Sequence, residues 1–284
     1  ASDSLTSSKR TLAGAQKVTR REHPEVEFVQ FNLTSDPNQN AAITNAVRNE
    51  APKLILTLGS SATSLARQYF TDIPIVFSGV KYPVLSGFVT STTDPGGNIT
   101  GASLDVPTAI QFSHFKKIVP GLKKIGLLYT QNTASLVPSA KIVARQAGLE
   151  LVAVLVKDDR HLPAALDSLA GEVQGMWSVA DPNLFKPKST RYILLNSLRK
   201  GLPFMGFSRY VVESGALFAL DFDYKAVGFQ AGTIANRIIN GEKPGNIDVT
   251  SADVIWFHYN ENTAKRIDVT IPDELAAVAK EVYR

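Results

Sequence analysis

One stretch of the chain, residues 54–66, combines an apolar strand, a small-residue turn and the start of a helix. It reads Leu-Ile-Leu-Thr-Leu-Gly-Ser-Ser-Ala-Thr-Ser-Leu-Ala. The apolar run predicts a buried parallel strand, and a helix follows directly after Gly59. The first N–H groups of such a helix have no partner within it and favour an anion. The hydroxyls of Ser60 and Ser61 suit a carboxylate, although small polar residues here also serve simply as helix caps.

Strand-like and helix-like segments alternate along most of the chain. The predicted strands are residues 27–30, 54–59, 74–79, 99–104, 124–130, 150–156, 175–180, 203–208 and 216–222. The clearest predicted helices are residues 6–22, 41–49, 61–69, 108–119, 135–147 and 224–240. This alternation predicts an α/β fold of parallel sheets covered by helices, whose strand-to-helix loops meet at the carboxyl edge of each sheet. A turn-rich break at residues 94–101 favours two sheets, in two lobes facing a ligand cleft, over one large sheet.

Composition and motifs exclude several classes of chemistry. The chain has no cysteine, which excludes thiol catalysis, disulfides and cysteine metal sites. Its four histidines lack metal-ligand spacing, and no phosphate loop, dinucleotide fingerprint or Gly-x-Ser-x-Gly motif occurs. A net charge of +4 is too small and dispersed to indicate nucleic acid. We therefore expect a small-molecule binding protein rather than an enzyme, without cofactor, metal or nucleic acid.

Three further loops at predicted carboxyl edges carry candidate ligand-binding side chains. These residues are Lys81, Tyr82, Asp181, Asn183, Phe207, Tyr210, Asp221 and Phe222. Asp181 ends a buried strand and suits a ligand ammonium group, although Asp before Pro also caps helices. Lys81 offers a cation and Tyr82 a flat ring, although a Tyr-Pro pair also reads as a stiff turn. With the anion site at Ser60 and Ser61, these groups complement a zwitterionic molecule with an apolar side chain.

Several blocks of sequence resemble a known family. They are Ile-Pro-Ile-Val-Phe-Ser-Gly-Val-Lys-Tyr-Pro-Val at 73–84, Pro-Gly-Gly-Asn-Ile-Thr-Gly at 95–101, Val-Pro-Gly-Leu-Lys-Lys-Ile-Gly-Leu-Leu-Tyr at 119–129, Gly-Ala-Leu-Phe-Ala-Leu-Asp-Phe at 215–222 and Ile-Asn-Gly-Glu-Lys-Pro at 239–244. Together these look like the ABC-transporter solute-binding proteins of the tryptophan/tyrosine-binding type. The resemblance runs from about residue 54 to the end, and residues 95–101 are its most specific element.

The resemblance implies a type I periplasmic-binding-protein fold, with two Rossmann-like lobes joined by a hinge of three crossing strands. We expect an N-terminal lobe of residues 1–105 plus 223–245 and a C-terminal lobe of residues 106–222 plus 246–284. The family's carboxylate contacts correspond to Ser60, Ser61 and Ala62. Asp181 and Asn183 are implied opposite them, and Asp221 and Phe222 near the hinge. Family members often read Val-Thr-Asp-Pro where this chain has Val-Lys-Tyr-Pro at 80–83, and residues before 54 match poorly.

Two functions from different classes follow from these expectations. The first is an extracytoplasmic receptor, acting as a monomer, that presents an amino acid with an aromatic or branched apolar side chain to the permease of an ABC importer. The alternative is the ligand-binding sensory domain of a bacterial signalling protein. Residues 1–4 read as the loop after a first strand, so either that strand has been removed or the lobe begins irregularly, and we expect removal with an excised leader. We expect the protein to be anchored to the membrane on its periplasmic or extracellular side.

Overall fold

The computed structural model describes residues 6–34 and 36–284, and the chain divides into two compact units. The first unit contains the described residues up to Asp105 together with Phe222–Val254. The second contains Val106–Asp221 and Ile255–Arg284. The chain therefore passes between the units three times. The predicted loop at residues 1–4 lies outside the described residues.

The first unit contains a parallel sheet with helices beside it. Its elements are α1 (Thr6–Glu22), α2 (Pro37–Asn49), β1 (Ile55–Leu58), α3 (Ser60–Tyr69), β2 (Ile75–Val80), β3 (Ile99–Ser103) and α9 (Tyr224–Ile239). The strand order in the described residues is β1-β2-β3, all parallel. The core on this sheet is built around the fully buried side chains of Ile75 and Phe77. Residues 27–30 form no regular secondary structure, so the prediction of a strand there was wrong.

Helix α9 belongs to the first unit because it packs closely on α1. A Cβ atom added to Gly228 would lie 2.1 Å from the carbonyl oxygen of Thr11, and one added to Gly14 would lie 2.3 Å from the carbonyl oxygen of Lys225. Only glycine at both positions allows the two backbones to approach this closely. The sequence between residues 223 and 240 therefore returns to the unit that contains the chain's first helix.

The second unit contains a larger sheet. Its elements are α4 (Thr108–Ile118), β4 (Lys124–Tyr129), α5 (Leu136–Gln146), β5 (Glu150–Leu155), α6 (Leu162–Ala170), β6 (Gly175–Trp177), α7 (Pro187–Arg199), β7 (Phe204–Gly206), α8 (Arg209–Glu213), β8 (Phe218–Phe222), β9 (Ile255–Asn260), α10 (Glu261–Arg266), α11 (Asp273–Ala276) and β10 (Ala279–Tyr283). The strand order is β10-β9-β8-β7-β6-β4-β5 in the part of the chain that is described. Phe115 and Phe218 pack edge to face in its core, with ring centroids 5.1 Å apart.

The last two strands reverse direction within this sheet. Asn260 N donates to Leu217 O, and at the other end of the pair Asp223 N donates to Val254 O, which is the antiparallel arrangement. Strand β10 is parallel to β9, so both run opposite to β4–β8. Along β10 half-buried residues alternate with exposed ones, which is the pattern of an edge strand.

The boundary of the first unit also differs from the expected position at residue 245. Ser103 N donates to Thr250 O and Thr250 N donates to Gly101 O, so residues 247–252 run beside β3. The Thr100 hydroxyl also donates to Ile247 O at 2.7 Å. These bonds hold the segment in the first unit, and the last crossing falls at Val254–Ile255. Similarly, Phe222 belongs to the first unit rather than the second.

Candidate functional site

The turn from β1 into α3 presents unpaired backbone donors. Gly59 is the N-cap with φ 87°, a conformation that favours glycine, and no side chain caps the helix. Thr63 N donates to Gly59 O, which leaves the N–H groups of Ser60, Ser61 and Ala62 without an intrahelical acceptor. Both serines are exposed. This helix of ten residues therefore presents three N–H groups and two hydroxyls at its positive end.

The turn after β2 lies beside this helix terminus. Gly59 N donates to Ser78 O at 2.8 Å, and a Cβ atom added to Gly79 would lie 3.4 Å from Gly59 N. The Ser78 side chain is fully buried and its hydroxyl makes no hydrogen bond. The sequence predicted these neighbouring carboxyl ends, but Ser78 was not predicted as a site residue. The sequence feature that could have identified Ser78 is a polar side chain near the end of an otherwise apolar strand.

The carboxylate of Asp105 accepts hydrogen bonds from the backbone of the turn that contains Lys81 and Tyr82. Tyr82 has a left-handed backbone, with φ 51°, and its N–H donates to both carboxylate oxygens of Asp105, at 3.1 and 3.0 Å. Burial raises the pKa of Asp105, against the lowering effects of the Ser103 hydroxyl, the Tyr82 N–H and the Lys81 charge. Sequence reading placed a domain boundary at this residue but did not predict it as a site residue.

Lys81 is held over an aromatic ring of the first unit. Its ammonium lies 5.5 Å from the centroid of Phe222, and Phe222 packs edge to face on Tyr224 with centroids 5.1 Å apart. Lys81 is half-buried, and its ammonium makes a cation–π contact with the Phe222 ring. The structure therefore groups the predicted residues Lys81, Tyr82 and Phe222 around the Asp105 side of the first sheet.

Asp181 is already saturated by protein donors. One carboxylate oxygen accepts from Thr130 N, from the Thr130 hydroxyl at 2.8 Å and from the Thr133 hydroxyl at 2.6 Å. The other accepts from the backbone N–H groups of Asn183 and Leu184. The residue is 1% exposed. Burial alone would raise the pKa of Asp181, but the threonine hydroxyls and backbone donors outweigh it and lower that pKa.

This geometry gives Asp181 a structural role. Its five hydrogen bonds join the end of β4 to the loop after β6, and no acceptor position remains for an ammonium group. This cluster favours a structural role for Asp181 over the expected pairing with a ligand. That role is not helix capping, because α7 begins at Pro187 and its N-cap is Lys186. Three of the five donors belong to Thr130 and Thr133, about fifty positions earlier, which sequence spacing alone could not associate with Asp181.

Three of the other predicted residues of the second unit, Phe207, Tyr210 and Asp221, lie on or near α8. Asp221 accepts from Arg209 N at 3.3 Å and is 9% exposed. The Phe207 ring packs on Phe185, with centroids 5.0 Å apart. Tyr210 is 62% exposed. The Asn183 side chain is exposed, while its backbone N–H binds Asp181.

Arg209 links this group to β10. Its guanidinium donates to Tyr210 Oη and to Glu281, each at 3.1 Å. Neighbouring His258, on β9, is 1% exposed and neither ring nitrogen makes a hydrogen bond. Arg209 and His258 were not predicted as site residues. Within the part of the chain that is described, no cluster of three potential metal ligands occurs and no helix is long and apolar enough to cross a membrane.

Comparison with known sequences decides the family. The sequence profile of ABC transporter substrate-binding proteins matches residues 7–283. The chain belongs to this family. Its members bind a substrate rather than transform one, lie outside the cytoplasm and work with an ABC transporter. The predicted membership and the prediction that the chain is not an enzyme are therefore confirmed.

Relatives of known name or structure support the same fold. The chain is 27% identical over 243 residues to the tyrosine-binding protein of Clostridioides difficile (strain R20291), a match that covers 84% of this chain and 69% of that protein. It also matches the ligand-free, open structure of a substrate-binding protein with adhesive properties from Clostridium difficile. That match has a TM-score of 0.80 at 21% identity, over 99% of this chain and 97% of the other.

A third similar protein is an ABC domain from Streptococcus pneumonia, whose structure is in complex with L-Trp. The TM-score is 0.68 at 21% identity, and the match covers 99% of this chain and 97% of that one. At this identity the likeness concerns the fold alone. It confirms the predicted α/β fold with two lobes of the type I periplasmic-binding-protein class.

Proposed function

We propose that this protein is the extracytoplasmic receptor of an ABC importer and that it binds an aromatic amino acid such as tyrosine or tryptophan. The names of two similar proteins, one tyrosine-binding and one in complex with L-Trp, support the ligand class. The family match supports the transporter role over the sensory alternative. In this proposal the protein is a monomer, is anchored at the membrane and delivers its ligand to a permease.

One observation carries the proposal for the ligand: the unpaired N-terminus of α3. Three backbone N–H groups and the hydroxyls of Ser60 and Ser61 lie where the helix dipole is positive. This arrangement suits a single carboxylate, because hydrogen bonds from N–H groups to an anion are short and strong. The neighbouring buried hydroxyl of Ser78 adds a donor at the same edge of the sheet.

The ligand ammonium group needs a carboxylate other than Asp181. We assign this role to Asp105, which belongs to the same unit as α3. It comes two residues after β3, and β3 is separated from β1 in the sheet by β2 alone. Its two oxygens share the Tyr82 N–H, and its pKa is raised by burial, so a cationic partner would stabilise its charged form. Lys81 and Tyr82 would then border the ligand, and Phe222 would add an apolar wall.

A pair of substitutions at the first helical position tests the carboxylate site. Ser60→Ala removes one hydroxyl, whereas Ser60→Pro removes the hydroxyl and also one N–H. Proline is well tolerated at this position, and the preceding Gly59 has ψ 162°, which is compatible with it. We expect Ser60→Pro to weaken tyrosine binding by about 1.5–3 kcal/mol more than Ser60→Ala, since the lost bond is to a charged group.

Isothermal titration calorimetry measures both variants and the ligand class. Tyrosine, tryptophan, phenylalanine, leucine and glutamate are titrated into wild-type protein from which bound ligand has been removed. The proposal requires an aromatic amino acid to bind more tightly than leucine or glutamate. Equal tyrosine affinities for Ser60→Pro and Ser60→Ala would remove the α3 N-terminus from the site. Tight binding of glutamate alone would refute the aromatic ligand class.

A further inference from the structure

Helix α7 has an outer face that is partly apolar and exposed to solvent. Its inner face buries Ile193, Leu194 and Ser197 in the second unit. On the other side, residues at helical spacing form a stripe three turns long. We call this the outer stripe, and it consists of Lys188, Arg191, Tyr192, Leu195, Leu198 and Arg199. Tyr192 is 38% exposed and Leu195 is 40% exposed.

A groove lies beside the outer stripe, between α7 and α8. It has a volume of about 710 Å³, and its walls include Leu194, Leu195, Leu198, Val211, Phe207 and Tyr210. All of these residues belong to the second unit. The groove is concave, so it would receive side chains that project from a partner better than it would receive a flat bilayer surface. Its apolar floor can bury such side chains.

The charges around this groove are predominantly positive. Helix α7 contains no acidic residue. The flanking Lys186 and Lys200 pair with Asp159 and Asp167, at 3.3 and 3.1 Å. By contrast, no acidic partner is found within the described chain for Lys188, Arg191 or Arg199. The residues that line the groove include Arg191 and no acidic residue, and Glu213 belongs to the neighbouring helix α8.

The cations stand at the two ends of the stripe and the apolar residues stand between them. Lys188 and Arg199 are eleven positions apart, which is about 16 Å along a helix. A small carboxylate could reach one of these ends but not both. A helix of three or four turns could reach both, and its apolar face would fill the groove between them. An apolar centre with a charged rim is the usual organisation of a protein interface.

We propose that the outer stripe and the adjoining groove form a docking surface for an acidic amphipathic helix of a protein partner. Apolar side chains of that helix insert between Leu195 and Val211, and its carboxylates pair with Arg191 and Arg199. Helix-in-groove binding of this kind uses apolar anchors at a spacing of three or four residues, while the charges select the partner and its orientation. The surface belongs to the second unit, whereas α3 belongs to the first, and the proposal does not depend on the identity of the transported ligand.

A designed peptide provides the probe. It is a fluorescein-labelled helix of about 14 residues, with leucines along one face and glutamates elsewhere. A second peptide carries lysine in place of every glutamate. Fluorescence anisotropy with the complete protein should give micromolar affinity for the acidic peptide, at least about tenfold tighter than for the basic one. Added salt should weaken the acidic complex, because its rim charges are exposed.

Variants of the outer stripe and of another helix locate the binding site. Leu195→Asp should raise the Kd of the acidic peptide by at least about tenfold, and Arg191→Ala by roughly fivefold. Helix α5 of the same unit offers matched controls. Ile142 on α5 is 49% exposed, and Arg145 is an exposed cation. Ile142→Asp and Arg145→Ala should leave the Kd unchanged.

Several results would overturn the docking surface. These are equal binding of both peptides, no binding of the acidic peptide, or an equal loss of binding in Ile142→Asp and Leu195→Asp. Leu195-dependent binding to phosphatidylglycerol vesicles without peptide binding would identify a lipid surface instead. A Leu195-dependent dimer in sedimentation, again without peptide binding, would identify self-association. Tyrosine titrated into Leu195→Asp separates the proposals, because its affinity should equal that of wild type whether or not the peptide binds.

Discussion

The structure predicts that Asp181→Ala damages the stability of the second unit rather than ligand binding. The carboxylate is buried and accepts five hydrogen bonds, which come from Thr130, Thr133, Asn183 and Leu184. Removing it leaves donors at the end of β4 without their acceptor. A residue that contacts the ligand would instead change affinity with little effect on folding.

The size of the effect follows from the donors that lose their partner. Thr133 is 1% exposed, and the Thr130 N–H points into the same cluster. Each buried donor left without an acceptor costs about 1–3 kcal/mol, so two of them give a loss of roughly 2–6 kcal/mol. For a domain of this size that corresponds to a fall of about 5–20 °C in melting temperature.

Tryptophan fluorescence reports directly on the unit concerned. The chain has two tryptophans, Trp177 and Trp256, and both lie in the second unit. Urea titration followed by fluorescence therefore gives the unfolding midpoint of that unit, and circular dichroism follows the whole chain. Asp181→Asn, which keeps part of the acceptor capacity, should fall between wild type and Asp181→Ala. Calorimetry below the transition should give a tyrosine Kd within about threefold of wild type.

The opposite pattern would refute this reasoning about Asp181. An unchanged urea midpoint with a tyrosine Kd raised by more than about tenfold would show that the carboxylate contacts the ligand. The pH dependence offers a second check. Because the pKa of Asp181 is lowered in the folded state, its stabilisation is complete above the unfolded pKa of about 3.9 and is lost as the pH falls through the folded value. Asp181→Ala should lack this part of the acid sensitivity.

Three further predictions concern other parts of the chain. Gly228→Ala should cost about 3 kcal/mol or more in the first unit, measured by urea-dependent circular dichroism, because its Cβ would lie 2.1 Å from Thr11 O; a loss below about 1 kcal/mol would contradict that packing. Asp105→Asn should weaken tyrosine binding by about 2–5 kcal/mol in calorimetry, and an unchanged Kd would exclude Asp105 as the ammonium partner. Burial lowers the pKa of His258, against the raising effects of Asp221 and Glu281, so stability should fall as the pH drops below the unfolded value of about 6.5. His258→Gln should reduce that slope in urea midpoints, and an unchanged slope would show that His258 does not cause it.

The regular part of the fold could be predicted because its signals are local. The predicted helix at residues 6–22 matches α1, and the strand predicted at residues 124–130 matches β4 within one residue. Strands β9 and β10 were not predicted. Aromatic and polar residues fill β9, and β10 reads Ala-Lys-Glu-Val-Tyr, in which charged and apolar residues do not alternate. Their strand conformation depends on pairing with β8 and with each other, which no local pattern contains.

The candidate site could be predicted only as far as the position of its loops. Ser60 was expected at a helix N-terminus, and α3 begins there. Asp181 and Asp105 both follow a strand, so the same sequence rule applies to each. The two carboxylates differ in the hydrogen-bond donors around them. Thr130 and Thr133, which follow another strand, donate to Asp181 and not to Asp105. Saturation of a carboxylate is a property of the folded neighbourhood, and spacing along the chain does not contain it.

Asp105 also occupies a particular place along the chain. It is the last residue of the first unit before the first crossing, and its backbone carbonyl accepts from Ala252 N, two residues before Val254 ends that unit for the second time. If Asp105 binds the ligand ammonium, it contacts the ligand through its side chain. Through its backbone it belongs to the first crossing, and it is hydrogen-bonded to the segment that leads into the third. A ligand shifts a conformational equilibrium only by its difference in affinity between the states. Neutralising the charge of Asp105 could supply that difference, because this carboxylate is costly to bury unpaired. If tyrosine binding shifts such an equilibrium, Asp105→Asn should reduce the effect of tyrosine on the small-angle scattering profile as well as the affinity for tyrosine, and an unchanged scattering response would contradict this role of Asp105.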